Sequence, residues 1–230
     1  MKKPVFYTEA AFVIGLVLLA FGTALTAYGD FGISMVVAPA YILHLKVSEF
    51  LPFFSFGMAE YVLQAIVLLL MTVLLRKFRF VWLLSFVTAV LYGLILDASM
   101  LLMALLPDIF VLRLVIYILG ALVCDVGISL LFRTYLPPEV YELFMKNLAR
   151  KFGKPVSTVK TVYDCVSMAV AIAMSLLFFG AFRGIGIGSV ICALINGALI
   201  RAFTRLSDRM FEFNDRFSLR DRFEEREEKV

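Results

Sequence analysis

The chain has 230 residues, of which 62% are hydrophobic and only 17% are charged, and its mean hydropathy is +0.95. A core of this length cannot hide so much apolar surface from water, so the composition excludes an ordinary soluble domain and predicts a membrane protein. The net charge is +4, but the sequence contains no run of basic residues interleaved with aromatic residues. This argues against a nucleic-acid partner.

Six apolar runs are long enough to cross a bilayer, which takes about 20 residues. The first run follows Lys2 and Lys3 and imitates a secretory signal, but its length and the later runs favour an uncleaved first helix. We therefore predict an all-α polytopic fold, with one membrane domain over residues 1–205 and a charged tail over residues 206–230. The predicted spans lie near residues 10–29, 57–75, 80–104, 109–131, 158–179 and 185–205.

Basic residues alternate between the segments that connect the spans. The N-terminus, the segments after spans two and four, and the tail are rich in Lys and Arg, whereas the other three segments carry one basic residue or none. Because basic segments stay on the cytoplasmic side, this alternation predicts six spans with both termini in the cytoplasm.

The sequence also repeats itself. Residues 30–34 (DFGIS) return 95 residues later as residues 125–129 (DVGIS), and Phe78-Arg79 returns 104 residues later as Phe182-Arg183. The repeats cover about residues 10–105 and 109–205, with three spans each, so the second must enter the bilayer upside down. Inverted repeats are typical of secondary transporters, which bind their substrate between the halves.

Each repeat has a long segment between its first two spans. Residues 30–56 are too apolar for a solvated loop and contain Pro39, and both segments start with the Asp-x-Gly-Ile-Ser block. We predict that each first span ends at its Asp-x-Gly, breaks, and continues as a re-entrant half-helix beside a cavity, because irregular backbone at membrane depth needs protein or water around it.

In the second repeat, residues 139–152 carry apolar side chains at helical spacing. Val140, Leu143, Phe144 and Leu148 alternate with basic and polar residues. This pattern predicts an amphipathic helix that lies at the cytoplasmic interface.

Acidic side chains inside spans are costly, about 2.5–3.5 kcal/mol at a helix centre on insertion scales, so they are functional candidates. Glu60 in span two and Asp164 in span five lie 104 residues apart and are therefore symmetry partners. Gln64 follows Glu60 by one helical turn and can hydrogen-bond across helices. Lys160 precedes Asp164 by one turn and can pair with it.

Asp30 and Asp125 form a second symmetric acidic pair at the predicted breaks. Each can cap the half-helix that follows, or bind a cation or proton in the cavity, and the two roles are compatible. His44, the only histidine, is either a structural hydrogen-bonding group or a proton relay. Asn196 adds a polar group within span six that can face the cavity.

The remaining motifs favour packing over chemistry. Gly180, Gly184 and Gly188 recur at four-residue intervals and predict a helix-packing face. A homodimer could form through this face. The three cysteines share no metal-ligand spacing and one histidine makes no ligand set, so neither a metal site nor a cofactor is predicted. The serines lack a Gly-x-Ser-x-Gly elbow, so no catalytic residue is predicted and an embedded enzyme is the weakest class.

Part of this pattern resembles a known group of proteins. Residues 28–34 (YGDFGIS), Pro39 with Leu43-His44, and residues 183–189 (RGIGIGS) resemble the YczE/YitT-type bacterial integral membrane proteins over roughly residues 10–205. In that family a proline directly follows the Gly-x-Ser, with an acid soon after, whereas here residues 35–38 (MVVA) intervene. The resemblance implies a protein of six spans in the bacterial plasma membrane, and no established substrate.

These observations favour a small secondary transporter, in which a midplane cavity near Glu60, Asp164 and Asn196 takes a small organic molecule or cation, with proton or sodium coupling through the acids. The rival class is a scaffold or regulator without transport, which binds a partner through residues 139–152 and the tail. Neutralising Glu60 and Asp164 would abolish transport, whereas a scaffold would be more sensitive to charge reversal in the 139–152 helix.

Overall fold

The computed structural model describes residues 3–154 and 156–217. In the described residues a three-residue strand is followed by long helices, with a short helix after the first and another after the fourth long helix. In chain order the elements are β1 (Val5–Tyr7), α1 (Thr8–Gly29), α2 (Ala38–Val47), α3 (Phe56–Leu75), α4 (Val81–Met103), α5 (Phe110–Leu131), α6 (Val140–Phe152), α7 (Val156–Phe179), α8 (Ile187–Met210) and β2 (Glu212–Asn214).

Five of the described helices, α1, α3, α4, α5 and α7, are long and apolar enough to cross a membrane. Their bounds differ from the predicted spans by no more than two residues. The sixth predicted span, near residues 185–205, falls within α8, which is not among the five, so six spans remain a prediction. The chain is a polytopic helical membrane protein.

The closest helix contact is between α1 and α5, and glycines on both helices produce it. Gly15, Gly22 and Gly29 recur every seven residues on α1, and Gly120 and Gly127 do so on α5. A Cβ atom on Gly22 would lie 2.7 Å from the backbone nitrogen of Cys124, and one on Gly127 would lie 2.8 Å from the carbonyl oxygen of Gly15. Small residues at such spacing let two backbones approach within a membrane.

The other helices pack around this pair in a regular pattern. Helix α1 packs on α4, and α5 packs on α8. The short helix α2 packs on α3 and α7, whereas the short helix α6 packs on α7 and α3. Each short helix therefore contacts one long helix from its own half of the chain and one from the other half.

The predicted break is present only in the first half. Helix α1 ends at Gly29, Asp30 takes a left-handed backbone conformation with φ of 58°, and Gly32 follows with φ of 105°. In the second half the prediction is wrong, because α5 continues through Asp125 to Leu131. Gly127 serves the contact with α1 instead of a turn. Helix α5 ends at Leu131, and residues 132–139, which include Pro137 and Pro138, connect it to α6.

Helix α6 forms as predicted, but it does not lie apart as an interfacial helix. Its Val140 N–H donates to the Gln64 side chain, and Lys151 near its end donates to the carbonyl of Leu74. From Gln64 to Leu74 is about 15 Å of helix, and α6 covers a similar length, so the two helices run side by side in the same direction. The apolar face of α6 is buried in this contact.

The chain is not wholly helical, because β1 and β2 form a parallel pair with Phe6 opposite Phe213. Arg133 forms an ion pair with Asp208 beside this pair. The beginning of α1 and the end of α8 therefore lie on the same side of the molecule. The predicted tail begins inside α8, and its residues 218–230 lie outside the described part of the chain.

The predicted glycine face is wrong. Gly180 and Gly184 have φ values of 64° and 72° in the connection between α7 and α8. Gly188 lies at the start of α8. The four-residue spacing therefore reflects turns that need a left-handed backbone, which glycine adopts readily, and the three residues do not share one helix face.

Candidate functional site

A buried polar cluster joins α3 to the beginning of α6. Glu60 and Gln64 lie one turn apart on α3 and are 0% exposed, while Glu139 and Tyr141 at the start of α6 are 8% and 3% exposed. The Tyr141 hydroxyl donates to Glu60 Oε2 at 2.8 Å. We name these four residues the α3–α6 cluster.

Gln64 is the centre of this cluster. Its Nε2 group donates to Glu60 Oε2 at 3.4 Å and to Glu139 Oε2 at 3.2 Å. Its Oε1 atom accepts the Val140 backbone N–H at 3.2 Å. One amide therefore bridges two carboxyl groups and also satisfies one of the N–H groups that the first turn of a helix leaves without an internal partner.

Pro137 and Pro138 place Glu139 where α6 begins. The Thr88 hydroxyl on α4 donates to the Pro137 carbonyl at 3.1 Å, which ties the turn to a third helix. Val36, just before α2, packs against the apolar cluster that contains Val140 and Tyr141. The beginning of α6 and the residue just before α2 therefore lie against the same apolar cluster.

Neither carboxyl group is fully satisfied within the described residues. Glu60 Oε1 and Glu139 Oε1 are buried and accept no hydrogen bond there. Burial raises the pKa of Glu139 well above its ordinary value, the nearby Glu60 and Glu142 carboxyl groups raise it further, and the hydrogen bond from Gln64 lowers it. A group with a raised pKa keeps its proton at pH values where an ordinary glutamate is ionised.

Aromatic side chains surround the cluster. The rings of Tyr141 and Tyr163 have centroids 6.1 Å apart, and Phe144 contacts the same Tyr163 ring at 5.8 Å. On the side of α1 and α4, the Tyr92 hydroxyl donates to Thr23 Oγ1 at 3.0 Å in a fully buried position. These rings exclude water from the carboxyl groups.

The predicted partners Glu60 and Asp164 occupy different environments. Asp164 follows Tyr163 on α7, and its Oδ2 atom lies 3.5 Å from Lys160 Nζ, with side-chain exposures of 27% and 47% for the aspartate and the lysine. The structure therefore brings Asp164 near the α3–α6 cluster through the tyrosine rings. The predicted Lys160–Asp164 pair is present, but it is half-exposed and outside the hydrogen-bonded cluster.

The second symmetric pair also separates. Asp30 is exposed and pairs with Arg113 at 2.9 Å. It does not cap α2, whose N-terminal residue is Val37. Asp125 is 0% exposed in the middle of α5, and both of its carboxyl oxygens lack a hydrogen-bond partner within the described residues.

His44 lies in a separate cavity of about 290 Å³, which Ser55, Phe56, Asp97, Met100 and Leu101 also line. Its Nδ1 atom lies 2.9 Å from the carbonyl oxygen of Phe54, and its ring stacks on Phe56 with centroids 6.0 Å apart. Asp97 in this cavity accepts the Gly57 N–H and the Ser55 hydroxyl, so it caps α3. Asn196 is half-buried on α8.

The sequence predicted Glu60 and Gln64 but missed Glu139 and Tyr141. Glu139 follows two prolines and precedes an apolar helical pattern, which is typical of a helix start inside a protein. An interfacial helix would place that start at the membrane surface, where a glutamate is an ordinary solvent-exposed residue. Among the described residues no group of three or more His, Cys, Asp or Glu side chains is arranged to hold a metal ion.

These features define a class, a polytopic helical membrane protein with ionisable groups in its interior. The chain belongs to a family of unknown function, DUF6198, whose model matches residues 6–205. The match covers nearly the same residues as the predicted resemblance, but it gives no support to the YczE/YitT name specifically. No curated protein and no solved structure matches the chain.

Proposed function

We propose that this protein is a small secondary-transporter-like membrane protein, which moves a small organic molecule or cation between two inverted halves and has no enzymatic activity. The halves would be β1 to α4 and α5 to β2, with α8 as the sixth span. Both termini would lie in the cytoplasm, at the plasma membrane of a bacterium. The single observation that carries this proposal is the exchange of short helices between the halves.

That exchange is reciprocal. Helix α6 of the second half runs beside α3 of the first, and Lys151 near its end contacts Leu74 at the end of α3. Helix α2 of the first half packs on α7 of the second, and Lys46 near its end lies 5.5 Å from the ring centroid of Phe179 at the end of α7. Each short helix therefore packs on a long helix of the other half. This reciprocal arrangement supports an inverted duplication.

The same exchange places half-helix beginnings in the interior. Transporters built from inverted repeats bind substrate and coupling ions near the midplane, where discontinuous helices begin or end. Here the beginning of α6 meets Glu60 and Gln64, and the segment before α2 packs nearby. This arrangement supports a binding site between the halves, and ionisable residues there are the expected feature of a substrate or ion pathway.

Reconstitution into liposomes tests the proposal. Purified protein would be assayed on a solid-supported membrane for charge movement upon addition of small organic cations, amines, sugars and carboxylates, with and without a proton or sodium gradient. We expect one chemical class to give a current that Glu60→Gln abolishes and Glu49→Gln leaves unchanged. Glu49 is a matched control, because it is an exposed glutamate paired with Lys46. A current unaffected by Glu60→Gln, or none for any class, would overturn the proposal.

The scaffold alternative makes the opposite prediction. The apolar face of α6 is already buried against α3 and α7, so a partner would have only its charged face to bind. If the protein were a scaffold, charge reversal at Lys146 and Lys151 would impair cellular function, whereas Glu60→Gln would leave it intact.

A further inference from the structure

We infer that Glu139 and Glu60 form a proton-binding pair, in which Glu139 carries one exchangeable proton beside the Glu60 carboxyl group, and that this proton keeps α6 docked on α3. The inference deepens the proposed function, on which its role in transport rests, because it names the proton as the coupling ion. Proton binding itself can be measured without any transported substrate.

The pair is defined by a shared donor. The two hydrogens of the Gln64 amide point to one oxygen of each carboxyl group, Glu60 Oε2 at 3.4 Å and Glu139 Oε2 at 3.2 Å. The other oxygen of each group, Oε1, is buried with no partner within the described residues. A buried carboxylate oxygen without a donor is costly, and a proton on that oxygen removes the charge.

The proton has a preferred position. Glu60 Oε2 accepts two hydrogen bonds, one from Gln64 and one from the Tyr141 hydroxyl at 2.8 Å. Among the described residues, Glu139 Oε2 accepts a hydrogen bond from Gln64 alone. Because each donor stabilises the ionised form, Glu60 is the better carboxylate and Glu139 the better acid. The geometry places the proton on Glu139 Oε1.

The surroundings favour this protonated state. Within residues 3–154 and 156–217, neither carboxyl group forms an ion pair with a lysine or arginine. Burial raises the pKa of the neighbouring Glu142 carboxyl group on α6, whereas Lys146 and Lys160 attract its charge and so act to lower that pKa. The titratable groups that face the pair are Tyr92 on α4, Tyr141 and Glu142 on α6, and Tyr163 and Asp164 on α7.

A proton fits this site better than a larger cation does. Among the described residues, one oxygen of each carboxyl group, Oε1, has no hydrogen-bond partner. The Gln64 side-chain oxygen is not available as a further ligand, because it accepts the Val140 N–H. Hard metal cations need about six oxygen ligands. Two oxygens within an apolar, aromatic shell therefore suit the smallest cation.

Loss of the proton would act directly on the contact between α3 and α6. The hydrogen bonds that join the beginning of α6 to α3 involve Gln64, Glu60, Glu139, Tyr141 and the Val140 N–H. With both carboxyl groups ionised, two buried negative charges would share one amide. Their repulsion would push the beginning of α6 away from α3, and such a movement of one half against the other is the step that a transporter must couple to its ion.

Infrared spectroscopy of the purified full-length protein tests proton binding directly. The C=O stretching band of a buried, protonated carboxylic acid is resolved from the ionised carboxylates and shifts in heavy water. We expect this band in the wild type at neutral pH, and its loss as the pH rises. It should be absent from Glu139→Gln, shifted in Glu60→Gln, and unchanged in the control Glu49→Gln.

Three results would overturn the inference. The band could persist in Glu139→Gln, it could be removed by Asp125→Asn, or it could disappear on addition of sodium at constant pH, which would indicate a sodium site. If Glu139→Gln does not fold, wild-type protein labelled with carbon-13 in the glutamate side-chain carboxyl group replaces it. A band that fails to move in that protein belongs to an aspartate and equally refutes the pair.

The movement of α6 has its own readout, because Trp82, the only tryptophan, packs in the apolar cluster with Val140 and Tyr141. Its fluorescence should change across the same pH range as the infrared band, and not in Glu139→Gln. If the band titrates but no substrate class gives a current, the proton pair stands and the transport proposal fails. If a current exists but the band is absent, the transport proposal stands and the proton pair fails.

The wild type should also lose thermal stability with rising pH. Folded Glu139 retains its proton above the ordinary glutamate pKa of 4.5, whereas the unfolded chain releases it, so stability falls as the pH rises above that value. Differential scanning fluorimetry should show Tm falling with pH in the wild type, and a weaker slope in Glu139→Gln. An equal slope in both proteins would contradict the pair.

Discussion

The helix pairs α3–α4 and α7–α8, whose residues the predicted repeat makes equivalent, are built differently. Helices α3 and α4 pack side by side, whereas in the described part of the chain α7 and α8 are consecutive but do not pack along one another. A Cβ atom on Gly93 of α4 would lie 2.3 Å from the Tyr61 ring, but one on Gly197, 104 residues later, would find its nearest atom 3.9 Å away. Among the described residues, helices α3 and α4 thus form a closely packed pair, whereas α7 and α8 do not.

The difference follows from the contacts between α3 and α4. Three polar or close contacts join α3 to α4: the glycine approach at Gly57, the Asp97 cap and the Tyr61 hydrogen bond. The positions 104 residues after Asp97 and Tyr61 are Arg201 and Cys165, both exposed. The first half therefore forms a rigid pair against which α6 docks, and the second half leaves α7 and α8 separate.

The largest expected effect comes from Gly57→Ala. The new Cβ atom would lie 2.4 Å from the Gly93 carbonyl oxygen, a backbone atom that moves only if the helices separate. We expect the free energy of unfolding to fall by about 3 kcal/mol, measured by denaturant titration in detergent micelles with Trp82 fluorescence. The matched control Gly197→Ala should change it by less than about 1 kcal/mol, in the stabilising direction, because alanine favours helix. Equal losses would mean that α7 and α8 do pack.

Next is Asp97→Ala, which removes one of the two side chains that cap α3, the other being Ser55. Asp97 accepts the Gly57 N–H at 2.7 Å and the Ser55 hydroxyl at 2.6 Å. Its loss should cost about 1–2 kcal/mol of unfolding free energy in the same titration. Arg201→Ala at the equivalent position of α8 should change stability little, and a loss as large as that of Asp97→Ala would show a hidden contact there.

Much of the fold follows from the sequence because lipid restricts the choices. A run of about 20 apolar residues in a bilayer must be helical, so the bounds of α1, α3, α4, α5 and α7 could be predicted closely. The break at Asp30 was also readable, because Gly32 and Pro39 follow it. The predicted break at Asp125 was wrong, because the Asp-x-Gly-Ile-Ser block forms a turn in one half and part of a helix in the other. Gly32 adopts a positive φ in the turn, whereas Gly127 lies where α5 crosses α1. The sequence alone does not show which of these two roles a glycine has.

The candidate site was only half readable, for a related reason. Glu60 and Gln64 lie within an apolar span, where any polar residue stands out. Glu139 and Tyr141 lie in a helix of mixed composition, where an acid looks like an ordinary surface residue. Only the tertiary contact with α3 makes Glu139 buried. Local composition cannot predict such a contact, although the two prolines before it were a usable signal.

A smaller effect is expected from Tyr61→Phe. The Tyr61 hydroxyl donates to the Val90 carbonyl at 3.0 Å, which adds one hydrogen bond between α3 and α4. Its removal should cost about 1 kcal/mol, measured as the change in unfolding free energy. The control is Cys165→Ser at the equivalent position of α7, which is exposed and should have a smaller effect. A neutral Tyr61→Phe would show that glycine packing and the Asp97 contacts suffice to hold α3 against α4.

The smallest effect should come from Lys160→Met on α7. Lys160 and Asp164 lie 3.5 Å apart, with exposures of 47% and 27%. Exposed pairs one turn apart contribute only about 0.3–0.5 kcal/mol, and salt reduces this further. The unfolding free energy at low salt should therefore fall by no more than this, and the difference from the wild type should vanish at high salt. A larger, salt-resistant loss would place Asp164 in a buried network like that of Glu60, and the two halves would then be more alike in chemistry than in helix packing.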